Sequence, residues 1–312
     1  MTTKIATREA YGRALVKLGE KYANIVVLDG DLSKSTKTAD FAKVFPHRFI
    51  NVGIAEQNLM GTAAGLATTG KIPFVSTFAM FATGRAFEQI RNTIAYPRLN
   101  VKIAATHAGI TVGEDGASHQ TVEDISLMRS IPHMTVIVPA DAAETEAAVL
   151  AAAQAEGPVY IRLGRLAVPA VNDENYRFEW GKAVVLREGT DVALIGTGLM
   201  VDACVQAAKV LETEGISAAV LNVHTIKPID RETIVRVVKT TGAVVTAEEH
   251  SIIGGLGSAV AEVLGENRPA PLKRVGVLDS FGESGAPQDL LIKYGLTAEN
   301  IVNGAREVIK RK

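Results

Sequence analysis

Between residues 25 and 163 short apolar runs alternate with stretches whose apolar positions recur at helical spacing. The runs at 25–29 (IVVLD), 48–52, 72–77, 101–106, 134–138 and 159–163 predict six strands. Strands alternating with amphipathic helices predict βα units and a largely parallel sheet. Near the start, Tyr11, Leu15, Leu18 and Tyr22 fall at helical spacing among charged neighbours, which reads as an amphipathic helix of the mature protein and not a signal peptide. One helix is bounded explicitly: Asp141 followed by Glu144 is a capping-box-like start, and Gly157-Pro158 stops the helix before the strand VYIRL.

The pattern lapses in AVPAVNDENYRFEWG, which is polar, turn-rich and carries the single Trp180, so a linker is expected at 171–184. A second βα series then follows: DVALIG, a helix over 200–214, SAAVLNV, a helix over 230–240, GAVVTAE, and a helix after Gly257. The expected fold class is therefore α/β, with two three-layer α/β/α domains at 1–170 and 185–312, a division that suits a chain of 312 residues. The alanine-rich stretch 147–155 is flanked by Glu144, Glu146 and Glu156, as on a surface helix, and no membrane span is expected.

Charge and cysteine content narrow the function classes. Lys+Arg 33 against Asp+Glu 34 leaves a net charge of −1, so no global field draws the chain to nucleic acid or anionic membrane. Any anion binding must be local. A single cysteine, Cys204, allows neither an intrachain disulfide nor a thiolate metal cluster, and a reducing cytoplasm fits it best.

Several segments carry candidate chemistry. Gly196-Thr197-Gly198 after DVALIG invites a dinucleotide reading, but Val201 stands at the third glycine position and Asn222 where an acidic residue is needed. HSIIGGLG at 250–257 is a strand-to-helix turn that serves either as an anion cradle or as tight packing. Asp29-Gly30-Asp31 offers two carboxylates and no further ligand, so no metal site is expected in this chain. Glu56 should open a helix, where it either complements the dipole or, among Gly53, Ile54, Ala55 and Leu59, gains a raised carboxyl pKa suited to proton transfer. Phe78 and Phe81 share one face after a strand, as core or as pocket wall. The loop THAGITVGEDGASHQ (106–120) gathers His107, Glu114, Asp115 and His119 among three glycines at a strand's carboxyl end, where open α/β sheets place ligands. Arg8 opposes the dipole in a first helical turn unless it shares an anion there, and Ser35, Arg162 and Arg165 can reach the same sheet edge, a set suited to phosphate.

These segments, IATREAYG, LDGDLSKST, IAEQN, STFAMF with RAFEQIR, THAGITVGEDGASHQ, YIRLGR and TIKPID, occur in an order that resembles the C-terminal half of transketolase over essentially the whole chain. The resemblance implies a thiamine-diphosphate pyrimidine-binding domain followed by the family's C-terminal domain. It also implies a split enzyme: a separate N-terminal subunit would hold the diphosphate and Mg²⁺, in an α₂β₂ assembly, and this chain alone would be inactive. Glu56 matches the glutamate that hydrogen-bonds the aminopyrimidine nitrogen, and Phe78 and Phe81 match the aromatic residues packed around that ring. Many members carry Tyr three positions past the second Phe, where this chain has Gly84 followed by Arg85. His119 matches a position near the donor carbonyl, Asp115 one near a substrate hydroxyl, and His107, Arg8, Ser35 and Arg165 match the phosphate end of the sugar. Ketol transfer from a xylulose 5-phosphate type donor to a ribose 5-phosphate type acceptor is the implied reaction. Deoxyxylulose-phosphate synthase, the β subunit of 2-oxoacid dehydrogenases, a non-catalytic partner subunit and a small-ligand sensor are the alternatives; the GEDG spelling, the split chain and the intact Glu56 favour transketolase.

Overall fold

The computed structural model describes residues 4–173 and 176–312; Glu174 and Asn175, inside the predicted linker, and residues 1–3 lie outside the described residues. The first unit contains β1 (Ile5–Ala6), β2 (Ile25–Asp29), β3 (Phe49–Asn51), β4 (Ile72–Ser76), β5 (Lys102–Ala105), β6 (Thr135–Ile137), β7 (Val159–Arg162) and β8 (Ala167–Val168). The second contains β9 (Val184–Arg187), β10 (Val192–Gly196), β11 (Ala218–Asn222), β12 (Thr225–Lys227), β13 (Val244–Ser251) and β14 (Leu272–Val277). Every run that the apolar pattern marked is a strand; most are trimmed by a residue at one or both ends, 25–29 is kept whole, and the run that begins at 242 extends to Ser251.

The first sheet has the order β12-β6-β7-β5-β4-β2-β3 and the second β14-β13-β10-β11-β9. Both are parallel except for their antiparallel edges, β12 and β9. Side chains alternate across each pleat. Val27, Phe74, Ala104 and Ile161 face the helices 7–21, 38–44 and 142–154 through Tyr11, Phe41 and Val149. Val26, Leu28, Val75 and Ile103 face the opposite way, toward Leu59 and Ile125 of the helices 56–67 and 124–130. In the second unit Leu194, Val220 and Val245 meet Met200, Cys204 and Ile301, while Ile195 and Leu221 meet Ile234 and Val260. Each such buried aliphatic side chain contributes roughly 1.5–3 kcal/mol, which explains why the apolar runs sit in the middle layers.

The two units are not independent. One apolar cluster runs from Leu59 and Val136 of the first to Leu221 and Leu256 of the second. The edge strand β12 leaves the second unit and pairs with β6, Thr225 beside Ile137. The helix over Ala142–Gln154 starts as expected, with Asp141 Oδ1 accepting from the Glu144 N–H at 2.9 Å. The Glu144 carboxylate then does more than cap. It accepts from the Ala140 N–H at 2.7 Å, from Asn222 Nδ2 at 2.9 and 3.0 Å, and from the Tyr176 hydroxyl at 2.7 Å. Asn222, where a dinucleotide fold would place an acid, is thus a clamp between units. The linker packs on the same seam, with Phe178 4.5 Å from the His224 ring.

Burial pushes the Glu144 carboxyl up to about 7, against the lowering effect of Asn222, the Ala140 N–H and Tyr176. The folded state therefore binds this proton more tightly than the unfolded chain does. The stabilisation is complete below the unfolded value near 4.5 and is lost as pH rises through about 7. Thermal unfolding followed from acid to neutral pH should show wild type losing roughly 3 kcal/mol relative to Glu144→Gln across that window. Parallel pH curves for the two proteins would remove Glu144 as the titrating group.

Candidate active site

The side chains that the sequence marked converge at the carboxyl ends of the first sheet. The helix over Thr7–Lys21 begins beside the end of β7 because Thr7 Oγ1 accepts from the Gly164 N–H at 2.7 Å. This seats Arg8, whose Nη1 donates to the Ser35 carbonyl at 3.0 Å and lies 3.3 Å from His107 Nε2. It is the backbone of Ser35, not its hydroxyl, that meets Arg8. His107 follows β5 with a left-handed φ of 57°, and its Nδ1 lies 2.8 Å from Thr106 Oγ1. Burial, then the charges of Arg8, Arg165 and His119, push His107 down to about 3, so the imidazole is neutral near pH 7. A neutral ring accepts from Arg8 at Nε2 and donates to Thr106 at Nδ1. Burial also lowers the Arg8 guanidinium, and its Nε is buried without a partner among the described residues. Arg165 donates to the Val112 carbonyl and pairs with Glu114 at 2.7 Å.

Phe78 joins this cationic end to an aromatic one. Its ring stacks on His107 at 3.9 Å and lies near-parallel to Phe81 at 6.0 Å and 13°. His119 presents its edge to Phe81 at 5.2 Å and to Phe78 at 6.3 Å. Phe81 begins a π-helical turn, Phe81–Arg85, a widened geometry frequent at functional sites. Glu56 is the first residue of the helix Glu56–Ala67 and is 2% exposed. Its surroundings differ from the apolar setting expected: Ile54 is turned out to solvent, and Arg85 Nη1 sits 2.7 Å from Glu56 Oε2. Asp115 stands exposed at the loop tip and makes no side-chain hydrogen bond with the set among the described residues.

One sequence reading is corrected and two glycine-rich turns are resolved. Arg162 does not join the cations; it is buried against Asp124 at 2.8 Å and donates to the Glu249 carbonyl at 2.8 Å. The turn over 250–257 cradles an anion, but that anion is the chain's own Glu248, which accepts from the Leu256 and Gly257 N–H groups at 2.7 and 2.8 Å. Any β-carbon on Gly255 would overlap that carboxylate, lying 2.0 Å from Oε2. In Gly196-Thr197-Gly198 the last glycine has φ 55° and packs toward Val138, so the turn docks the second unit on the first. Asp29 is held within the fold, accepting from the Leu32 N–H and from the Thr36 and Thr38 hydroxyls. Among the described residues no cluster of His, Cys, Asp and Glu could hold a metal ion.

Glu249, at the end of β13, was not legible as part of the site, because its apolar strand context gave no sign of a partner. Its carboxylate accepts from the Thr111 N–H at 2.7 Å and so anchors the 106–120 loop. Burial pushes it up to about 7, against the lowering effect of Arg162 and the Thr111 N–H. Gln120 adds a second tether, donating to the Glu283 carbonyl at 2.9 Å. Gly109 passes over Glu249 at φ 83°, ψ −173°, where a β-carbon would lie 2.2 Å from the carboxyl carbon. Gly109→Ala should cost about 3 kcal/mol from the glycine-only backbone and the clash, measured by denaturant unfolding. An unchanged midpoint would mean that the loop moves off Glu249 without penalty.

Two family models cover the chain in order: the transketolase pyrimidine binding domain over residues 3–170 and the transketolase C-terminal domain over 181–301. A protein of Methanocaldococcus jannaschii described as a transketolase C-terminal section is 53% identical over 98% of this chain and 96% of its own length. The 6-deoxy-6-sulfo-D-fructose transketolase subunit of a Clostridium species is 49% identical, covering 98% of this chain and 95% of that one. Among solved structures, a split-gene transketolase described as an inactive β4 tetramer is 61% identical, covers 99% of both chains and superposes with a TM-score of 0.91. With both domain models matched in order and close relatives of the same length, the chain belongs to the transketolase family, as a C-terminal subunit of the split kind.

Proposed function

We propose that the chain is the pyrimidine-binding half of a two-chain transketolase that moves a two-carbon ketol unit between phosphorylated sugars. In this reading a separate N-terminal subunit holds the diphosphate and Mg²⁺ in an α₂β₂ complex, and the assembly works in the cytoplasm. When bound, thiamine diphosphate supplies the nucleophilic carbon and the electron sink for the two-carbon fragment.

The residues present fit the cofactor's aminopyrimidine. Phe78 and Phe81 offer apolar ring faces, and Glu56 offers a carboxylate that is 2% exposed, where a hydrogen bond to a ring nitrogen is strengthened by the low dielectric. The observation that carries the proposal is the continuity of this end with the cationic one, through the 3.9 Å stack of Phe78 on His107. Arg8 and Arg165 suit an oxyanion at the far end of a sugar, and the buried, unpartnered Arg8 Nε is a donor left for it. In this reading His119, edge-on to both phenylalanines, donates to a carbonyl oxygen, and Asp115 at the exposed loop tip accepts from a hydroxyl.

A second reading of the substrate rests on the Clostridium relative named for a sulfo-sugar. Two guanidiniums recognise a sulfonate as well as a phosphate. The direct test is turnover of xylulose 5-phosphate with ribose 5-phosphate, thiamine diphosphate and Mg²⁺, by this chain alone and mixed with its N-terminal partner. Activity is expected only in the mixture. Glu56→Gln should lower kcat by roughly 10²–10⁴-fold while the complex still forms. Arg8→Ala should raise KM for phosphorylated sugars by about tenfold or more, with little change for free sugars. A complex that forms yet turns over only sulfonated sugars would move the substrate to the second reading, and an unimpaired Glu56→Gln would overturn the mechanism.

A further inference from the structure

Arg85 lies over both groups assigned above to the aminopyrimidine. Its Nη1 is 2.7 Å from Glu56 Oε2, and its guanidinium carbon is 4.7 Å from the centroid of the Phe81 ring. The Arg85 side chain is 49% exposed and that of Glu56 only 2%, so the guanidinium sits at the mouth and the carboxylate beneath it. At the neighbouring Gly84 a β-carbon would lie 2.6 Å from Met80 Cε, so no side chain from that position lies between the arginine and the two groups it covers. A ring nitrogen directed at Glu56 Oε2 needs the position that Nη1 holds, and a planar pyrimidine on the exposed face of Phe81 needs the space of the guanidinium.

Resting on the proposed function, we infer that Arg85 is a latch on the pyrimidine subsite, closed on Glu56 and Phe81 and displaced when the aminopyrimidine takes its place. The closed state keeps a carboxylate with almost no water contact paired to a cation, and breaking it costs an ion pair and a cation–π contact. Half of that arginine remains in water, so opening returns its charge to solvent, while Glu56 needs the incoming ring nitrogen as its new partner. The latch thus opposes cofactor entry by an amount that a substitution can recover. Its action on affinity runs through Glu56, which separates it from a general packing role.

Calorimetric titration of thiamine diphosphate into the assembled two-subunit complex, with Mg²⁺ present, tests this. Arg85→Gln should bind roughly 3- to 30-fold more tightly than wild type, and Arg85→Lys, which keeps the charge, should stay close to wild type. In a Glu56→Gln background the gain from Arg85→Gln should shrink, because the ion pair is gone and only the Phe81 contact is left to release. Equal or weaker binding by Arg85→Gln, or a gain that is undiminished without Glu56, overturns the latch and leaves the proposed function standing. No binding by wild type or variant overturns the proposed function and the latch with it.

Discussion

A buried charge must be paired where it lies, and here that requirement fixes how the two units meet. Arg162, 7% exposed at the end of β7, is hydrogen-bonded to a fully buried Asp124 and reaches across the seam to Glu249. Breaking such a set by removing one member strands an ion in low dielectric, at roughly 3–5 kcal/mol. Burial works to raise Asp124, but Arg162 and Tyr160 carry it below its ordinary value, whereas Glu249, 4.0 Å from the guanidinium, is pushed up to about 7. The nearer carboxylate takes the cation's charge. The farther one is left to accept from the Thr111 N–H, and so the loop that carries His107 and His119 is set by a residue of the other unit.

The second unit therefore shapes the candidate site without lining it with the residues that the sequence marked. The features of it that looked open to a ligand are taken up by the chain's own groups. Glu248 fills the N-terminus of the helix Leu256–Asn267, Asn222 is consumed by Glu144, and Gly198 is pressed toward Val138. A glycine-rich turn after a strand is a familiar anion site, and here the anion is covalently attached to the chain. The same physics that would bind a phosphate instead locks a sheet to a helix.

What the sequence made legible is what local patterns encode. Alternation placed the strands, the Asp141 and Glu144 pair placed a helix start, and the carboxyl-end rule for parallel sheets gathered Arg8, His107 and Arg165 at one edge, with Arg162 wrongly among them, while Phe78 entered only through the family resemblance. Features that depend on a distant partner did not show. Arg162 and Arg165 are three apart on the same segment, and nothing local says that one is buried against Asp124 while the other faces Glu114. GAVVTAE reads as a strand that stops at its first charge, yet β13 continues through Glu249 and His250 because their partners lie in the first unit. The pairing of β12 with β6 is equally invisible, since it depends on the assembled sheet. Glu56 was legible as a helix start and not as half of an ion pair, because Arg85 is 29 residues away.

The cationic end of the site shows why a neutral histidine belongs there. Arg8 and Arg165 each lower the tendency of His107 to take a proton, and burial does so more strongly, leaving an imidazole that accepts from Arg8 where an imidazolium would repel it. Two guanidiniums can then share a pocket without a third positive charge. Their donors are held meanwhile by the chain's own oxygens: the Ser35 carbonyl on Arg8, and the Val112 carbonyl and Glu114 on Arg165. Glu114 is exposed, so an anion arriving at this end can displace its carboxylate into water, exchanging a screened ion pair for a better-buried one. The carbonyls stay, and they keep both guanidiniums aimed while the exchange takes place. Preorganisation of this kind transfers the cost of positioning from binding to folding, where the buried Asp124–Arg162–Glu249 set and the two packed sheets already meet it.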